Sequence, residues 1–199
     1  MVQEEIETPV RFSDPPVARQ LFGSVRWAWI WVIPRLYVGY TWASSGYGKL
    51  GSPAWTRSGE ALQGFWLRAV AIPEAPARPA IAFDWYRTFI QSLLDGGHYA
   101  WFAKLIVAGE LLVGVALILG AFVGIAAFLG GFMNWNFMMA GTASINPVLF
   151  TLSILLIVAW KSAGWWGLDR WLLPLLGTPW EPGRVFRGET AASNASDNG

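Results

Sequence analysis

The sequence predicts an all-α fold: a four-helix transmembrane bundle with a long first connection that carries short amphipathic interfacial helices. Three observations predict it. Charged residues make up only 14% of the chain and hydrophobic residues 54%, whereas a soluble domain carries about 25% charged residues. Four apolar runs, about 27–45, 99–120, 121–140 and 147–163, approach the roughly 20 residues that a helix needs to cross ~30 Å of hydrocarbon. The connection between the first two runs, 46–98, is rich in Gly, Pro and charge, yet two short segments of it repeat apolar residues at helical spacing.

Residues 1–22 read as an acidic, Pro-containing polar tail. They lack a basic stretch followed by an apolar one, so the first span is expected to act as its own insertion signal. The membrane domain is expected over 23–178. Its first span, WAWIWVIPRLYVGYTWASS, contains Pro34, which predicts a kink, and Arg35. Gly39 and Ala43 in the same run invite close approach by another helix.

Residues 46–98 are expected to form an extramembrane capping loop. In Glu60–Val70 the apolar set is Ala61, Leu62, Phe65, Trp66, Ala69 and Val70. In Asp84–Asp95 it is Trp85, Tyr86, Phe89, Ile90, Leu93 and Leu94, with Gly96–Gly97 as a stop. Both segments are too short to span and read as interfacial helices. The second run, YAWFAKLIVAGELLVGVALILG, meets the third, AFVGIAAFLGGFMNWNFMMA, with no polar loop, which predicts a tight antiparallel hairpin. Pro147 suits the first turn of the fourth helix. The Trp-rich SAGWWGLDRWLLP that follows reads as an interfacial belt, and 179–199 as a largely disordered tail.

Four spans place both termini on one side. More Lys and Arg flank the bundle on that side than on the long-loop side, so the termini are expected in the cytoplasm. A net charge of +1 without a basic cluster gives no reason to expect nucleic acid as a partner. The chain has no Cys, which excludes disulfides, thiolate catalysis, Cys-bound haem and Fe–S clusters, and its single His, His98, cannot build a His-rich metal site. No metal and no covalently bound cofactor are expected.

One carboxylate, Glu110, stands mid-way along the second run. At membrane depth an ionisable group costs a few kcal/mol or more and calls for a partner. Counting 1.5 Å per residue from opposite sides brings Arg35 and Glu110 to similar heights, which predicts an Arg35–Glu110 ion pair with bidentate geometry. Such a pair either fixes helix register or belongs to a quinone pocket or proton path. Asn134 and Asn136 add amide groups that line the same polar region or bond between helices. Lys49 and Lys104 lie towards the long-loop end.

The order of these features resembles the DoxX/DoxD family of integral membrane proteins: an Arg within the first helix, GYGKL at its exit, FAKLIVAGELLVGVALILG in the second helix and SAGWWGLDRWL after the fourth. The extended loop GFWLRAVAIPEAPARPAIAFDWYRTFIQSLL and the turn MMAGTASINP resemble its longer, DoxD-like members. Arg35, Lys49 and Glu110 match recurrent polar positions of the family, and the resemblance assigns no catalytic residue. DoxD-like members are associated with thiosulfate:quinone oxidoreductase. The resemblance thus implies an integral membrane subunit of a quinone-linked oxidoreductase, acting with a partner subunit and with quinone as the redox species, in which Arg35, Glu110, Asn134 and Asn136 bind quinone or relay its protons. The alternative is a non-catalytic structural or assembly subunit of a larger respiratory or photosynthetic membrane complex. A small-solute transporter is a third reading, to which four helices without a visible repeat offer little.

Overall fold

The chain is described here by a computed structural model over residues 13–178 and 181–186. Among these residues the fold is all-α apart from one two-residue strand pair. Helix α1 (Pro16–Gly23) leads into a 3₁₀ stretch (Val25–Trp31) that continues directly as α2 (Val32–Leu50). The connection carries α3 (Pro53–Thr56), α4 (Glu60–Val70) and α5 (Asp84–Asp95). Then come α6 (Tyr99–Leu119), α7 (Val123–Met139), α8 (Asn146–Val158), α9 (Trp160–Ala163) and α10 (Asp169–Leu176). Strands β1 (Gly177–Thr178) and β2 (Glu181–Pro182) pair antiparallel, Gly177 opposite Pro182.

The long helices alternate in direction, and glycines set their separations. Gly39 of α2 faces Leu117 and Ile118 of α6, and Gly46 faces Leu111. Gly114 faces Ala43, whose backbone nitrogen would lie 2.4 Å from a Cβ at that position, so no side chain fits there. In the same way Gly131 of α7 packs on Ser153 of α8, and Gly124 on Trp160. The first buried cluster, with Trp31, Val38, Trp42, Val113, Leu117 and Leu156, is the bundle core. A second, with Leu62, Trp66, Ile81, Tyr86 and Ile90, lies beneath α4 and α5 and includes Ala103 of α6 and Ala140 just after α7. The capping helices thus sit on the open end of the α6–α7 hairpin, away from its 120–122 turn.

Several boundaries depart from the sequence expectation. The first long helix begins at 32 and ends at 50, five residues later at each end than the apolar run. Pro34 falls in its first turn, where its missing N–H has no intrahelical partner to lose, so the mid-span kink disappears. The described end of the polar tail is helical: Trp31 Nε1 donates to the Leu21 carbonyl at 2.8 Å and Ser162 Oγ to the Phe22 carbonyl at 2.9 Å, tying α1 to the bundle. The fourth apolar run is broken at Ala159 into α8 and α9. Residues 1–12 and most of the expected C-terminal tail, 179–180 and 187–199, lie outside the described residues. Among the described helices α6, with a mean hydropathy of 2.3, is the one long and apolar enough to cross a membrane by itself; α7 and α8 are apolar but shorter.

Candidate functional site

The α2–α6 register decides the partner of Glu110. With Gly46 opposite Leu111, Glu110 faces the last turns of α2. There Lys49 Nζ donates to Glu110 Oε1 and Oε2, both at 2.7 Å, and to Ser45 Oγ at 2.7 Å. All three ammonium protons are therefore used. The same nitrogen lies 5.1 Å from the centre of the Trp55 ring. Glu110 is 1% exposed and Lys49 20%. The expected Arg35–Glu110 pair is thus corrected to Lys49–Glu110. Arg35 and Lys49 are 14 positions apart, about 21 Å along a helix, and the later start of α2 lowers Arg35 towards the terminal end of the bundle.

Arg35 lies buried at the α6–α7 corner. Its Nη2 donates to the Trp166 carbonyl at 2.9 Å, and the guanidinium occupies space left by Gly120 and Gly167. Gly120 has φ +68°, the left-handed conformation that ends α6 and favours glycine. Beside it Asp169, from the start of α10, accepts the Phe122 amide at 2.6 Å and the Val123 amide at 2.9 Å. It thereby caps the first turn of α7 from another helix, and it holds Phe122 at φ 48°. Burial pushes the Asp169 carboxyl up, and the two amides and the Arg35 charge pull against that shift. Asp169 is not among the residues singled out from sequence; a lone acid inside the Trp-rich SAGWWGLDRWLLP is its only signal.

A chamber of about 630 Å³ separates α4 and α5 from α6 and α7. Nine of its lining residues are aromatic, among them Trp66, Tyr86, Phe102, Trp135 and Phe137, and most of the rest are aliphatic, with Met133 and Val113 at the bundle side. Leu105, Leu112 and Leu129, which are 55%, 70% and 47% exposed, flank it on the outer surface of the hairpin. The polar groups are few and convergent. The Tyr86 hydroxyl donates at 3.1 Å to Asn136, shared between its backbone carbonyl and Oδ1, and Asn136 Nδ2 donates to the Phe132 carbonyl at 2.8 Å. Burial pushes the Tyr86 phenol up to about 12, so it stays a protonated donor.

The four residues expected to share one polar region are therefore dispersed. Asn136 lines the chamber, Glu110 pairs with Lys49 behind it, and Arg35 serves the opposite end. Asn134 is fully buried among the helices. His98 is exposed at the start of α6, where its Nδ1 accepts from Trp101 Nε1 at 3.2 Å. Volume, aromatic walls and a single polar corner suit a flat ring that carries an oxygen acceptor and an apolar tail; drug-sized ligands fill pockets of about 300–1,000 Å³. No protein-family model, curated protein or solved structure matches the chain.

Proposed function

We propose that this chain is a multi-pass integral membrane protein and the quinone-binding subunit of a quinone-linked oxidoreductase that acts with a partner subunit. The observation that carries the reading is the chamber: aromatic within, bearing the Tyr86–Asn136 pair, and opening beside the exposed apolar side chains of α6 and α7. Helices α6, α7 and α8 place Leu112, Ile125, Phe128 and Val158 outward at 53–70% exposure, a surface suited to lipid rather than water. At 1.5 Å per residue the 19 residues of α2 and the 21 of α6 reach about 28 and 31 Å, which supports spanning, with α7 and the α8–α9 pair as the other two crossings. The Lys and Arg balance favours cytoplasmic termini.

In this reading the aromatic walls hold the ring and exclude water, Tyr86 fixes the Asn136 amide, whose second Nδ2 proton donates to one ring oxygen, and the tail leaves past Leu105, Leu112 and Leu129. Quinone, when bound, supplies the redox chemistry. The electrons reach it from the partner subunit, since this chain has no Cys and a single exposed His to hold a redox centre. The likeness of the sequence to DoxD-like proteins supports an oxidoreductase of the thiosulfate:quinone type.

The test is purification in gentle detergent, followed by lipid extraction and mass spectrometry of quinones and of copurifying proteins. Quinone is expected above its bulk-lipid level in the native protein. Loss of one hydrogen bond in Tyr86→Phe, or of the amide in Asn136→Leu, is expected to lower it about tenfold in folded protein. Quinone that never exceeds the bulk-lipid level, together with a defined set of partner chains, would overturn the reading. It would favour a structural subunit instead, for which the self-compensated Lys49–Glu110 pair would be a register device.

A further inference from the structure

We propose that Trp42, Asn134 and Ser153 form a binding site for internal water where α2, α7 and α8 meet. The inference is independent of the quinone reading. Asn134 and Ser153 are 0% exposed and Trp42 3%. Trp42 Nε1, both side-chain polar atoms of Asn134 and Ser153 Oγ have no hydrogen-bond partner among the described residues. Buried polar groups are almost always paired, and the ones without a protein partner commonly bond to ordered water.

The three groups converge on one patch of α7. The Trp42 indole reaches from Gly130, where a Cβ would stand 2.9 Å from Nε1, to the Phe137 ring, which it stacks at a centroid distance of 6.4 Å. Positions 130, 134 and 137 share a helix face, so the indole passes over Asn134. Ser153 Cβ lies 3.2 Å from the Cβ position of Gly131, and positions 131 and 134 are neighbours at i,i+3. The three polar groups thus meet within about one helical turn.

Their chemistry selects the occupant. Trp42 offers only a donor, Asn134 offers donors and an acceptor, and Ser153 offers one of each. A ligand must accept from the indole and donate to the Asn134 carbonyl, which neither a metal cation nor a carboxylate does. Water does both and commonly makes about three bonds in such sites. On α2 the charges stand two turns to either side of Trp42: Lys49 is spent on Glu110 and Arg35 bonds the Trp166 carbonyl at the other end of the bundle, so no charged side chain belongs to the site itself.

The experiment is radiolytic hydroxyl-radical footprinting of the purified full chain, in which bound water generates radicals beside its own ligands. Trp31 is the internal standard, being 5% exposed against 3% for Trp42, packed in the same core and bonded through Nε1 to a backbone carbonyl. Trp42 is expected to be modified several-fold faster than Trp31. In Asn134→Leu, which removes both a donor and an acceptor, the Trp42 rate is expected to fall to that of Trp31. Equal rates at the two tryptophans in the native protein would overturn the proposal, and that comparison needs no variant to fold. A Trp42 rate unchanged by Asn134→Leu, with a raised Tm, would overturn it too, because it would mean that the amide was buried dry.

Discussion

Helix α6 packs by opposite rules on its two sides. Towards α2 it presents Gly114, and with Gly39 and Gly46 it lets the two backbones approach until a Cβ at 114 would stand 2.4 Å from the Ala43 nitrogen. Towards α7 and the capping helices it presents Phe102, Ile106 and Gly109, and large rings hold the walls apart around about 630 Å³. The charges lie in the tight seam and the volume in the loose one. Close packing excludes water, so Glu110 needs a partner fixed in place, and Lys49 reaches it from the last turn of α2. A chamber meant for an exchangeable ligand needs the reverse: walls that do not fill their own space, and few polar groups.

The largest effect that separates the two sides is expected at the ion pair. Lys49→Met leaves the Glu110 carboxylate buried and uncompensated, at a cost of about 3–5 kcal/mol. The double variant Lys49→Met/Glu110→Leu removes both charges and is expected to recover most of that loss, since apolar replacements of buried pairs are often neutral or stabilising by about 1–4 kcal/mol. Thermal unfolding of the three proteins in one detergent measures it. If the double variant were as unstable as the single one, the pair would not be the source of the seam's sensitivity.

Two glycines on the same helix give the next test. Gly114→Ala forces a methyl group against the Ala43 backbone and is expected to cost about 1–3 kcal/mol. Gly109→Ala places its methyl 3.4 Å from the Met133 sulfur, an ordinary contact. It gains up to ~1 kcal/mol of helix propensity, so its Tm is expected to hold or rise. The same substitution five positions away thus changes sign. Equal Tm losses would show that the two sides are packed alike.

Much of this difference was legible in the sequence. The apolar runs located α6, α7 and most of α2 and α8. The apolar spacing of 60–70 and 84–95 named the faces of α4 and α5 that now line the chamber. Asn136 was singled out beside Asn134, but residues two apart on a helix differ by about 200°, so only one of the two faces the chamber. The partner of Glu110 was missed because heights counted along separate helices inherit the error in each helix start: five residues at α2 is about 7.5 Å. The 3₁₀ stretch before α2 carries apolar residues like those of the helix itself, and so hid the true start. The chamber was invisible for a different reason. Its walls were legible, but volume depends on the distance between helices, which no single helix encodes.

The smallest effect is expected on the loose side, at Tyr86, and it depends on pH. Burial pushes its phenol from 10.0 to about 12, so the folded chain holds this proton more tightly than the unfolded chain does. Below pH 10 both states are protonated, and the contribution to stability is fully present. From pH 10 to 12 the unfolded state releases the proton first, so stability falls as pH rises through that window. Tyr86→Phe cannot ionise. At neutral pH it is expected to cost about 1 kcal/mol for the lost bond to Asn136, and above pH 10 to lose Tm less steeply than the native protein, until the two curves approach. Melting curves collected from pH 7 to 12 check both parts. Parallel alkaline limbs would mean that the Tyr86 hydroxyl meets water in the folded protein, and the chamber's polar corner would then be open to solvent rather than sealed by α5.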